Sequence, residues 1–486
     1  MTNKKENLKL LLSLGLAGVM VAILFWLISK LSSTLISPNT GQPSSIELSN
    51  KPSLINLGTR ILVKVQTYPE KTDGVKAFSE KNFSTAVEKF TVSLKNNPND
   101  PETLIYLNNA KIARDNSDSL KVAVIAPVNL DQNLAEELLR GVAQAQNEVN
   151  ERGGINGKKL QIAIASVENR EDGEKLDKEL VEDQSVVAAV GVRRDAAIYN
   201  DKRLVLVFPL ERPNQAENPE NTQQNVLNNQ QDAQKSNYLF HINPLYENLV
   251  DTHARYIARQ GRNIAICGDI RTSGNNPNSS SSKVLVEQYA QAIEQYGSQV
   301  ISTPCNLADK NFDPKAFVDR AIETENANGF LLIPSLRSIS YATKVAQEIK
   351  GRKPLFGSET MYSGKTLENG RDVEGMVVPV YWHRDVNKNN PFAENALGLW
   401  KAQVNQRTAG AYDAMQVIIA GLEKDNTREG LQKVLSNPNF STSGATGNIM
   451  FSPSGKRQGE AFLVRIERCE RCSSGTNYDF VLLNKK

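Results

Sequence analysis

Four cysteines, three histidines and the charged residues of a few loops are the side chains best equipped for redox, metal or acid–base work here. Cys469 and Cys472 form a CxxC pair, while Cys267 and Cys305 stand apart. A zinc site wants four ligands, and no second pair lies near 469–472 in the sequence. A thioredoxin-like centre wants its CxxC opening a helix after a strand, whereas this pair falls at the tip of a hairpin. A local disulfide suits an oxidising compartment; free thiols or a metal are the alternatives. His241, His253 and His383 are scattered and lack metal-ligand spacing. No GxGxxG or GxSxG motif opens a helix. No catalytic residue and no cofactor is assigned. A net charge of +3 over 486 residues gives no reason to expect a nucleic-acid partner.

The elements that hold these side chains follow from hydrophobic patterning. Residues 120–126 and 160–166 are short apolar runs that read as buried strands. Between them Leu134, Leu138, Val142, Ala145 and Val149 recur at helical spacing, and Gly153-Gly154-Ile155-Asn156-Gly157 stops the helix. Strand, crossover helix and strand make a βαβ unit, which demands a parallel sheet. A helix over 172–183 and strands at 186–190 and 204–208 extend that sheet. Strands at 263–267, 299–303, 329–333 and 354–357, separated by helices over 283–296, 314–325 and 338–350, predict a second one. Residues 373–382 cross back, 411–424 form a helix, and 462–467 with 478–483 alternate as a closing hairpin. The fold class is α/β, two lobes, each a doubly wound parallel sheet.

In such sheets ligands bind beyond the carboxyl ends of the strands. The loops to watch are 127–131, 191–196 and 209–212 in the first lobe, and 269–273, 334–338 and 357–361 in the second. Cys267 and Cys305 end neighbouring strands of the second lobe, which brings their sulfurs toward bonding range. A bridge there adds about 3–4 kcal/mol in the chain-entropy description.

The N-terminal third is different. Lys4, Lys5 and Lys9 precede an uncharged run, 10–29, closed by Lys30. As a helix it measures about 30 Å, the thickness of a bilayer core. It is longer than a secretory h-region of about 7–15 residues, and no small-residue cleavage site directly follows. We read residues 1–31 as an uncleaved signal anchor with the bulk of the chain extracytoplasmic, and 32–57 as a linker. In 58–118, Phe83, Ala86, Phe90 and Ser93 share one helical face and Leu104, Leu107 and Ala110 begin another. This segment resembles one tetratricopeptide unit plus part of a neighbour. Arrays generally need three or more repeats, which favours a short helical hairpin packed on the next domain. The Asn/Gln-rich stretch 213–236 has too few apolar residues to order itself and reads as a mobile surface insertion.

The GGINGKKL turn after VAQAQNEVNER, the AYDAMQVIIAGLEK helix at 411–424 and the FSTSGATGNIMFSPSGKRQG turn at 440–459 are more specific than the strands. With them residues 119–486 resemble the type I periplasmic binding proteins of the leucine/isoleucine/valine-binding-protein-like receptors. The resemblance implies the two-lobed type I fold, with lobe one at about 119–243 and 383–457 and lobe two at about 244–382 and 458–486. It implies binding and not catalysis: capture of an amino acid or related small polar solute, presented to an ABC permease or a signalling partner. Amino-acid-binding members hold the carboxylate with hydroxyls and backbone amides after the third and fourth strands, and the ammonium with an acid of the second lobe. Glu359, in Gly-Ser-Glu-Thr, stands where that acid belongs, with Ser335 and Arg337 at the preceding strand end. Asn129, Arg193, Asp195 and Glu211 are the first-lobe candidates. There the chain departs from the pattern: Val192-Arg193-Arg194-Asp195 replaces small and hydroxyl residues, and Leu210-Glu211-Arg212 replaces a Ser/Thr-rich turn. Either Arg193 or Arg194 clamps a carboxylate bidentately, or these charges rim a site that no longer binds. In the second case the domain is a sensor or scaffold.

Overall fold

The computed structural model describes residues 54–63, 68–129, 131–166, 170–191, 197–210, 237–244, 246–270, 281–301, 303–470, 472 and 474–483. The anchor read at 10–29 and the insertion read at 213–236 lie outside these residues. Among the described residues no helix is long and apolar enough to cross a membrane.

Among the described residues the strands are, in chain order, β1 Ile55–Asn56, β2 Ser119–Ala126, β3 Lys159–Ser166, β4 Val186–Gly191, β5 Val205–Phe208, β6 Leu239–Pro244, β7 Asn263–Gly268, β8 Gln299–Ile301, β9 Gly329–Ile333, β10 Leu355–Gly357, β11 Val377–Val380, β12 Thr442–Gly444, β13 Gly447–Ile449, β14 Lys456–Arg457, β15 Phe462–Arg468 and β16 Tyr478–Leu482. The long helices are α1 Pro69–Ser79, α2 Phe83–Asn96, α3 Pro101–Arg114, α4 Gln132–Glu151, α5 Arg170–Glu182, α6 Tyr246–Gln260, α7 Ser281–Gln295, α8 Ile339–Ile349 and α9 Gln406–Leu422.

One sheet runs β1-β3-β2-β4-β5-β6-β14 and the other β16-β15-β11-β10-β9-β7-β8. Their parallel cores, β3-β2-β4-β5-β6 and β8-β7-β9-β10-β11, share the doubly wound order 2-1-3-4-5. Both faces are covered, as parallel strands require. Val122 and Val124 of β2 enter one apolar cluster, Ala123 and Ile125 the opposite one. Phe330 and Leu332 of β9 alternate with Leu331 and Ile333 in the same way. The chain passes between the sheets after β6, after β11 and after β14.

β12 to β14 fall within the stretch read as the late turn at 440–459, and β1 and β6 fall where the sequence pattern assigned no strand. β6 carries His241 and Asn243, which hide its alternation, and β1 lies in the stretch read as linker. β1 pairs antiparallel with β3, Ile55 opposite Ala165. The helical segment is also bound to this sheet. α3 packs on α4 and β3, not on a further helical pair. Nearly all of α3 is buried, including Glu102, Asn108 and Asn109. Asn109 donates to Ile162 O (2.8 Å) and accepts from Ile162 N (3.2 Å), doing for β3 what another strand would do. Asn150 treats Leu160 likewise, at 2.7 and 2.9 Å. The outer edge of β3 is thus paired along its length, and an unpaired edge is a template for aggregation. Lys71, 1% exposed, bridges Asp100 and Glu102, each at 2.8 Å. Glu102 also accepts from Leu62 N, Val63 N and the Tyr106 hydroxyl, so the buried carboxylate is fully occupied.

Candidate functional site

The candidate site lies at the carboxyl ends of the parallel strands. In lobe two the strand order switches between β7 and β9, the place where doubly wound sheets put their ligands. Asp269 follows β7 there, 1% exposed. The hydroxyls of Ser335 and Ser338 each donate to its Oδ2 at 2.5 Å. Ser335 therefore sits at the predicted strand end, with its proton already given to the protein. Arg337, in the same loop, is exposed.

Glu359 opens a short 3-10 turn directly after β10. Burial raises its carboxyl above the ordinary value, and the Arg407 guanidinium opposes that shift. Tyr246 at the start of α6 and Tyr289 in α7 feel its charge, and Tyr381 just after β11 neighbours Tyr246; all three are at most 6% exposed. Burial pushes the Tyr246 and Tyr289 hydroxyls up, and the Glu359 charge adds to both shifts.

Arg407 comes from the other lobe. It is the second residue of α9, whose N-cap Asn405 accepts from Arg407 N at 2.8 Å. α9 is pressed onto lobe one at backbone distance. A Cβ on Gly141 of α4 would meet Thr408 O at 2.3 Å, and one on Gly410 would meet Pro209 O, beyond β5, at 2.4 Å. Only glycine fits such contacts. From this helix Arg407 reaches across the cleft, with Nη2 3.8 Å from Glu359 Oε1. One residue earlier, Gln406 Oε1 accepts from Tyr381 N at 2.8 Å.

The other late motif is structural. Asp413 of α9 accepts from Ala445 N, Thr446 N and the Thr446 hydroxyl, so the AYDA helix holds the SGATG turn. Its carboxyl is raised to about 6, mainly by burial.

Of the remaining residues read from sequence, Asn129 is exposed in the turn after β2. Arg193, Asp195 and Glu211 lie outside the described residues. Cys267 and Cys305 are disulfide-bonded, with Cα atoms 5.0 Å apart. Cys469 and Cys472 form the second bridge, at 5.5 Å. No group of three or more metal-ligating side chains occurs among the described residues. Sequence reasoning missed Arg407 because it began the helix at Ala411; Asn405, a good N-cap residue, was the signal for an earlier start. It also missed Ser166 and Ser358, at the carboxyl ends of β3 and β10, whose buried hydroxyls have no partner among the described residues.

Two doubly wound lobes with charged strand-end residues brought together between them define a two-lobed α/β receptor fold. The periplasmic binding protein family profile matches residues 119–475, and the chain belongs to that family. Comparison with curated proteins gives no match. Among solved structures it is similar to the leucine-binding protein LivK of Thermotoga maritima, with 16% identity, TM-score 0.58, and 75% of this chain and 99% of that one covered. LivJ of Streptococcus pneumoniae, in complex with isoleucine, gives 14%, 0.56, 75% and 100%. A Rhodopseudomonas palustris solute-binding protein in complex with benzoate gives 13%, 0.53, 75% and 96%.

Proposed function

We propose that this chain is an extracytoplasmic solute-binding protein of the ABC-transporter type, tethered to a membrane by residues 10–29. It holds an amino acid or related small polar solute between its lobes and presents it to a permease. The observation that carries this reading is the meeting of Glu359 and Arg407 across the cleft, 3.8 Å apart. Opposed charges from two lobes can read both ends of a small zwitterion, and closure of such lobes traps the ligand. Relatives of this fold carry leucine, isoleucine or benzoate. The basic residues before the uncharged run 10–29 support the tether.

A sensor or scaffold is the second reading. It is favoured by the helical segment α1–α3, which is built into lobe one beside β3. Thermal melting of the full chain against a panel of amino acids separates the two. A solute that binds only the native state stabilises it by about 2.7 kcal/mol at a hundredfold excess over Kd. Absence of any shift across the panel favours the sensor or scaffold. Resistance of the chain to alkaline extraction from membranes tests the tether.

A further inference from the structure

The Arg407 side chain is an anomaly among the buried arginines. The residue is 7% exposed, yet its guanidinium makes no hydrogen bond to any described residue. Its sole ion-pair partner among the described residues, Glu359, is 3.8 Å away, beyond hydrogen-bond distance. Compare Arg457, equally buried, which donates to Ile242 O, Thr446 Oγ1, Thr446 O and Asn448 O. Arg428 gives all three of its nitrogens to the carbonyls of Val181, Asp183 and Val186. A guanidinium has five donors in a planar fork, and none of the Arg407 nitrogens is among the fully enclosed atoms without a partner, so its donors stay open to solvent or to a solute. Arg407 is held in the cleft all the same, by the backbone contacts of Gly141 and Gly410 that fix α9. Ser358, next to Glu359, adds a buried hydroxyl without a partner among the described residues.

We infer that Arg407 is the carboxylate-binding residue of this cleft. A planar fork with free donors matches a carboxylate bidentately, and the pocket accepts solutes by that group. Glu359, already facing a cation, is left a secondary role: it orients an amino group when the solute has one. A solute with a carboxylate and no amine then binds as well, whereas its amide does not. The inference rests on the solute-capture reading and deepens it, replacing strand-end hydroxyls with one arginine from α9.

The test uses calorimetry and melting curves of the full chain with leucine, isoleucine, benzoate, leucinamide and benzamide as probes. At least one carboxylate probe is expected to bind, and its amide to fail. Arg407→Gln is expected to weaken the carboxylate by about tenfold to a hundredfold, the loss of charge-assisted hydrogen bonds. Arg407→Lys, which keeps the charge and loses the fork, is expected to fall between. Unliganded melting of both variants shows that they fold. Equal binding of an acid and its amide, or equal affinity of wild type and Arg407→Gln, overturns the inference and leaves solute capture standing. No binding of any probe to the wild-type chain overturns solute capture, and this inference with it.

Discussion

The two lobes share one strand order and secure its outer edge by different means. In lobe one the edge strand β3 is eight residues long and is met by β1, Asn109 and Asn150. In lobe two the edge strand β8 is three residues long, and covalent chemistry takes over. The Cys267–Cys305 bridge ties β7 to the segment after β8. Asn306 then accepts from Ile270 N at 2.9 Å and donates to Ile270 O at 3.1 Å. An asparagine amide imitates a strand in both places. The difference is what stands behind it: a helical segment with a buried ion cluster in one lobe, a disulfide in the other. A short strand cannot offer enough ladder bonds to hold its own edge, so a crosslink compensates.

The comparison can be broken most strongly at Lys71. Lys71→Met leaves Asp100 and Glu102 buried without their cation, and is expected to cost about 3–5 kcal/mol in chemical denaturation. Replacing both Cys267 and Cys305 with serine is expected to cost about 3–4 kcal/mol, the chain-entropy value for a separation of 38 residues. If the lobes are secured as described, the first change lowers protection in hydrogen exchange around β3 and the second around β7 and β8.

Acid sharpens the contrast at one strongly shifted buried group in each lobe, the two shifts having opposite effects on stability. His253 in α6 is fully buried against Tyr289 and Phe356, and burial lowers it to about 3. Its folded value lies below its unfolded one, so the unfolded chain binds the extra proton. Stability is lost as pH falls from 6.5 toward 3, by about 1.4 kcal/mol per unit. Asp413 in α9 is raised from 3.8 to about 6, so the folded chain binds the extra proton. Its contribution is lost as pH rises through that window, at about the same slope. Between pH 4 and 6 the two offset each other. His253→Phe is expected to leave stability falling with rising pH there, and Asp413→Asn to leave it rising. Parallel slopes in both variants would sink this account. The smallest effect is expected from Asn109→Ala, at about 2 kcal/mol, because β1 and Asn150 still pair the rest of β3.

Much of this architecture is legible in the residues. Alternating or continuous apolar runs bounded by glycine locate β2 to β5 and β7 to β10, since burial on two faces leaves a strong signal. β6 escapes because a half-buried position admits His241 and a buried position near its end holds Asn243, which together break the apolar pattern. α3 shows only part of its face because the groups it buries include Glu102, Asn108 and Asn109, and partners such as Val63, Asn147 and Ile162, 39 to 53 residues away, satisfy them. In the site, Glu359 is found through resemblance to relatives. Arg407 is not, since what marks it is a distance between lobes and a missing set of hydrogen bonds, neither of which is written along the chain.

Gly141 and Gly410 lie outside the cleft, yet they decide how deep α9 sits in lobe one. A methyl group at either position has no room and must lift the helix, and Arg407 rides on its first turn. The position of the Arg407 guanidinium in the cleft is therefore set by two residues that have no side chain. A screen for altered solute choice would recover changes at 141 and 410, and they would look like remote mutations while acting as a change of reach.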